Sequence, residues 1–227
     1  MSVLIGTTPT RTFDDARRWV AEGTALLTGA VDGLDSSAPS TSSGHRFDGD
    51  SRLPGWTRKH LVGHVAANAD ALGNLISWAE TGVEKRMYAS AEQRNADIEE
   101  AATRPAEELR SWYHRGAAEL DAAMDRLTPE QWEHEVITAQ LVTRKASDVP
   151  WMRAREVFVH AVDLGVGITF ADLPDDFLLA LADEIRTKRG LSDDDLIGVE
   201  GPLPEVAAWL AGRPHDLVDA PTLGSWL

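Results

Sequence analysis

Three of the seven histidines fall where their spacing suits chemistry. His60 and His64 stand four residues apart in a stretch of helical periodicity, so both lie on one face about one turn apart. Glu156 and His160 repeat that spacing far along the chain, and Asp163 follows three residues later on the same side. Two such pairs on separate helices of a bundle can converge on one ion. Imidazole nitrogen and carboxylate oxygen suit zinc, and a catalytic zinc keeps three protein ligands and one open position. Spacing alone leaves other readings standing: chance, a capped surface, a hydrogen-bonded core histidine, or an ion pair of Glu156 with Arg153 or Arg155. Glu156 is nonetheless set among Val157, Phe158, Val159, Ala161 and Val162. A carboxylate facing a core is costly unless it is paired or bound to a cation.

Helices must carry these pairs. From residue 12 to about 34, Phe13, Ala16, Trp19, Val20, Leu26, Leu27, Ala30 and Val31 recur near the helical period. Residues 35–50 are rich in Ser, Gly and Asp and read as an exposed loop. The strongest helix opens near Pro54, carries Trp56, His60, Leu61, His64, Val65, Leu72, Leu75, Ile76 and Trp78, and ends near Gly82. Residues 90–102 and 105–127 read as two further helical pieces, 128–130 as a short turn, and 136–142 as an irregular connection or a hairpin. Pro150 opens a helix to about Leu164 with Gly165 and Gly167 as stop signals, and Pro174 opens another to about Arg189. Residues 10–190 thus read as an antiparallel bundle of four main helices with long connections, an architecture that builds metal sites from facing helices. Residues 191–227 hold an acidic run at 193–195, a short helix to Leu210 and a Pro-rich tail. That is too little for an independent core, so it reads as an appendage.

Composition narrows the function. The chain has 227 residues, with 22 Lys and Arg against 37 Asp and Glu, a net charge of −15. Such a charge repels phosphate backbones and anionic lipid, which argues against nucleic-acid or membrane partners. No stretch approaches the roughly 20 apolar residues that span a bilayer. Residues 1–11 show no basic region followed by an apolar core, so a cytoplasmic location is expected. There is no cysteine, hence no disulfide, no thiolate metal site and no cysteine nucleophile. Any thiol chemistry would need sulfur brought by a small molecule.

The segments LPGWTRKHLVGHVAANADAL (53–72), MYASAEQRN (87–95), WEHEVITAQ (132–140) and WMRAREVFVHAVDLG (151–165) together resemble the mycothiol-dependent maleylpyruvate isomerases. These belong to the wider family of DinB-like metal-binding four-helix bundles. The resemblance covers most of residues 53–189 and returns faintly in GPLPEVAAWLAGR (201–213). It implies a mainly α fold: a DinB-like four-helix bundle over 1–190 and a small C-terminal α/β appendage over 191–227. It assigns His64, Glu156 and His160 as metal ligands and leaves His60 outside the ligand set. Asn68 and Asp163, one turn beyond His64 and His160, would orient ligands or bind the thiol cofactor. Arg94 and Arg213 match arginines associated with the family's active site, where a planar guanidinium fork suits carboxylates.

The cofactors implied are Zn²⁺ (or another divalent metal) and mycothiol. The reaction implied is conversion of maleylpyruvate to fumarylpyruvate by reversible thiolate addition, within aromatic (gentisate) catabolism. The partners are then an unsaturated diacid and a low-molecular-weight thiol. Two other readings share the same site: a mycothiol S-transferase that leaves sulfur on its product, and a zinc- and thiol-binding bundle without turnover.

Overall fold

The computed structural model describes residues 11–35, 45–192, 194–196, 198–224 and 226. The N-terminal residues 1–10, the middle of the expected loop (36–44) and Asp193 of the acidic run lie outside the described residues. The chain divides into two compact units, Phe13–Val166 and one built on Gly167–Leu227.

The first unit holds α1 (Phe13–Asp32), α2 (Arg58–Thr81), α3 (Ala91–Thr103), α4 (Ala106–Arg126), the short α5 (Pro129–Trp132), an antiparallel hairpin of β1 (Glu135–Ile137) and β2 (Thr143–Lys145), and α6 (Val149–Asp163). Helices α1, α2, α4 and α6 form the bundle: α1 packs along α6, α2 along α4, and α2 also touches α6 and α3. The buried stripe of α1, from Ala16 through Trp19, Val20, Gly23 and Leu27 to Val31, follows the three-to-four spacing of an amphipathic helix. Trp19 meets Trp151 of α6 at 5.6 Å between ring centroids. Helix α2 is buried on most sides because α3, α4, α6 and β1 all pack on it.

Two glycines let helices close up. A Cβ on Gly23 would lie 2.6 Å from Val157 Cγ2, and one on Gly63 would lie 2.6 Å from the Cβ of Ala101 on α3. The second contact matters for the site, since α3 carries Arg94 and Gly63 adjoins His64. Gly63→Ala is therefore expected to cost about 1–3 kcal/mol through overpacking, read as a lower urea midpoint. Gly73→Ala, on the same helix with nothing near its added carbon, should be neutral or stabilising by up to about 1 kcal/mol. Equal midpoints for the two variants would contradict this packing.

Helix α2 begins at Arg58, later than Pro54 suggested. Gly55 takes φ +80° and Trp56 N–H donates to Leu53 O at 3.1 Å, so the Pro-Gly pair forms a turn ahead of an N-cap at Thr57. The far end of α6 is tied to this region. Arg52 N–H donates to Asp163 O at 2.7 Å, and the Arg58 guanidinium donates to Leu164 O at 2.8 Å and Gly165 O at 3.2 Å. A cation on the last carbonyls suits the negative end of a helix, and it steadies the turn that bears His160 and Asp163.

The expected division near residue 190 is not where the units part. Gly165 (φ +69°) and Gly167 (φ +101°) end α6 and redirect the chain. Helix α7 (Asp175–Arg189) then packs on α8 (Leu203–Leu210), so it belongs with the C-terminal unit. Phe177, Leu178, Leu181 and Ile185 of α7 are buried, as are Ala207, Trp209 and Leu210 of α8. Arg189 donates to Leu210 O at 3.0 Å, and the Trp209 indole donates to Pro221 O at 2.6 Å. The α/β character expected of this part is not found among the described residues, whose only strands are β1 and β2. No described helix is long and apolar enough to cross a membrane.

Candidate metal centre

Helices α2 and α6 bring His64, Glu156 and His160 together, one potential ligand atom from each lying within 4.8 Å of the others. Glu156 Oε2 lies 3.1 Å from His64 Nε2 and 3.3 Å from His160 Nε2. The two imidazoles meet edge to face at 5.1 Å. Asp163, fully buried at 0% exposure, places Oδ2 3.0 Å from His160 Nδ1. A carboxylate on the outer nitrogen fixes the ring and aims Nε2 into the cluster. His60 lies outside the cluster: its Nδ1 accepts from Thr57 N–H at 3.1 Å and its Nε2 faces Glu99 at 3.5 Å. Arg153, one of the two arginines considered as a partner for Glu156, donates elsewhere, to Val65 O and Asn68 Oδ1.

Burial and charge set the protonation of the cluster. Burial would raise Glu156, but hydrogen bonds and charge from His160 and His64 win and hold its carboxyl well below the usual range. Burial pushes His64 down, against the pull of Glu156 and with help from the charges of His160 and Arg94. Burial also disfavours a charged His160, yet its bonds to Asp163 and Glu156 outweigh that and lift it to about 9. At neutral pH the cluster therefore holds a carboxylate, a neutral imidazole and an imidazolium. Three donors of this type, two nitrogens and one carboxylate oxygen, fit a first-row divalent ion.

An entering ion must displace the His160 proton. Below about 9 that proton competes, so apparent affinity should rise about tenfold per pH unit and level off above it. Calorimetric titration in buffers of different ionisation enthalpy should show about one proton released per ion near pH 7.5. Affinity flat from pH 6 to 9 would contradict the protonated His160.

Around the cluster stand further side chains. Arg94 of α3 places Nη2 3.4 Å from His64 Nδ1, and its guanidinium lies 5.8 Å from the Tyr88 ring centre. Arginine only donates, so here His64 Nδ1 accepts and its Nε2–H faces Glu156. An ion on Nε2 requires the proton on Nδ1, which opposes Arg94. Ion binding and the Arg94–His64 contact therefore exclude each other. Asn68 is buried one turn beyond His64 with Oδ1 2.9 Å from Arg153 Nη1. Arg213 lies in the C-terminal unit, buried, donating to Ala211 O at 2.8 Å. Sequence reasoning assigned no site role to Trp56, whose ring meets that of His64 at 5.5 Å, or to Tyr88, and it offered Arg153 only as a partner for Glu156. Trp56 stands in the 53–72 segment that carries the resemblance, four residues before His60 and eight before His64.

No curated protein matches this chain. Residues 42–165 match the family model described as the mycothiol maleylpyruvate isomerase N-terminal domain. Among solved structures, a crystal structure of the mycothiol-dependent maleylpyruvate isomerase is 34% identical, with a TM-score of 0.85 over 97% of this chain and 100% of that one. A crystal structure of a histidine-to-alanine mutant of such an enzyme is 33% identical, with a TM-score of 0.84 over the same shares. The family match spans more than half the sequence and the structural match nearly all of it. The chain belongs to the family of the mycothiol-dependent maleylpyruvate isomerases.

Proposed function

We propose that this chain converts maleylpyruvate to fumarylpyruvate, using a zinc ion held by His64, Glu156 and His160 and mycothiol as a borrowed nucleophile. The observation that carries the reading is the convergence of those three donors, both histidines buried, in a chain without cysteine. Three protein ligands is the catalytic pattern; structural zinc is usually closed by four. When bound, zinc supplies the positive charge that deprotonates a thiol at neutral pH.

Rotation about a C=C bond is slow until the double bond is transiently removed. A thiolate adding to the conjugated carbon leaves a single bond and an enolate; the bond rotates, the C=C reforms and the thiolate leaves with its electron pair. The residues of the chain prepare that event. Two neutral imidazoles and one carboxylate leave a divalent centre net positive, which offsets the −15 of the whole chain for a dianionic substrate. Asp163 holds His160 in the ligating tautomer. Arg94, released from His64, offers a fork to a substrate carboxylate or the developing enolate. Arg213 stays in the assignment on the match of its AGR segment alone.

The test is a spectrophotometric assay of maleylpyruvate loss by zinc-loaded protein with and without mycothiol. The expected result is thiol-dependent formation of fumarylpyruvate with mycothiol recovered. Thiol consumed into an adduct would make the chain an S-transferase, and binding without turnover would make it a binding bundle.

A further inference from the structure

Arg153 lies one turn before Glu156 on α6 and is 1% exposed. Arginine stays charged at any ordinary pH, and a cation removed from water is costly unless its partners compensate. Yet no ion pair engages Arg153 among the described residues. Its Nη1 donates to Val65 O at 2.8 Å and to Asn68 Oδ1 at 2.9 Å, both neutral acceptors, and its Nη2 has no hydrogen-bond partner. An apolar side chain of similar volume would fill this space without that cost.

The placement of the acceptors supplies the reason. Val65 directly follows His64, and Asn68 lies one turn further along α2. Arg153 grows from the helix that carries Glu156 and His160. The pairing of His64 with Glu156 and of Asn68 with Arg153 gives the antiparallel register of α2 and α6. The guanidinium thus spans the two ligand-bearing helices one turn away from the ligands on each. Burial pulls its proton affinity down against the opposing pull of the Glu156 carboxylate, so it stands within electrostatic reach of that ligand.

We propose that Arg153, with Asn68 as its acceptor, is the positioning residue that sets the separation and register of the helices bearing His64 and the Glu156–His160 pair. The inference rests on the metal-centre reading above. Two side chains share one contact, so their removal should be strongly non-additive.

The experiment measures zinc affinity by chelator competition and the visible spectrum of the cobalt-loaded chain, for the native protein, Arg153→Met, Asn68→Leu and the double variant. All are compared well below their metal-free unfolding midpoints. Each single variant should lose about 10–100-fold in zinc affinity, as changes behind metal ligands do, with a shifted cobalt band. The double variant should be no worse than the poorer single one. A lowered unfolding midpoint with unchanged affinity and cobalt band would reduce Arg153 to a packing role and overturn the proposal. If Arg153→Met does not fold, Asn68→Leu alone decides by the same two readouts. A native chain that binds neither ion would overturn the metal-centre reading itself, whereas native binding matched by every variant would overturn only this inference.

Discussion

Replacing His64 or Glu156 with alanine should abolish metal binding and thiol-dependent turnover together. Each supplies one of three donors converging within 4.8 Å, and no fourth protein donor joins that group among the described residues. A metal's electrostatic contribution to such reactions is worth several kcal/mol, so a loss of about 10³-fold or more in kcat/KM is expected. The two variants should differ in stability. His64→Ala removes a neutral imidazole, whereas Glu156→Ala leaves the buried His160 imidazolium with Asp163 as its remaining carboxylate partner. Glu156→Ala should therefore unfold at lower denaturant in the metal-free state. Metal content, turnover and urea midpoint of the same preparations check all three statements. Full turnover in metal-stripped protein would show that the reaction needs no ion at these donors.

Arg94→Ala should behave in the opposite way toward the ion. Its guanidinium faces His64 Nδ1 and favours the tautomer that an ion on Nε2 must reverse, and its charge helps push His64 down. Removing it leaves metal affinity equal or higher. Turnover should nevertheless fall by about 10²–10³-fold, the usual loss on deleting a donor aimed at developing negative charge. Arg94→Lys should recover little, because an ammonium cannot make the bidentate contact of a guanidinium. Kinetics with chelator competition on the same samples separates this from a ligand defect. Loss of zinc by Arg94→Ala would show that the residue supports the metal instead of the substrate.

The i,i+4 spacing of Glu156 and His160 on one helix, and Asp163 behind them, was legible because helical period alone fixes which side chains share a face. That His64 and not His60 joins them was not contained in spacing, since both sit on one face of α2. It followed from the resemblance, and His60 is turned instead to the start of its own helix by Thr57. The Pro54 start was misplaced because Pro suits both a first helical turn and a β-turn, and the following Gly55 settles it by adopting φ +80°. Gly165 and Gly167 were recognised as stops. The allegiance of α7 was not legible, because an apolar helical face does not name its partner. The contact of Arg153 with Asn68 stayed hidden for a related reason: the two are 85 residues apart in sequence. Local pattern carries no information about such a pair.

Zinc held by His64, Glu156 and His160 should leave a place for an external thiol. Zinc K-edge X-ray absorption of the zinc-loaded chain, before and after adding mycothiol, reads that place. A shell of nitrogen and oxygen neighbours alone is expected at first, at about 2.0–2.2 Å, and a new sulfur neighbour at about 2.3 Å once the thiol is present. A zinc shell that mycothiol leaves unchanged would contradict that open place.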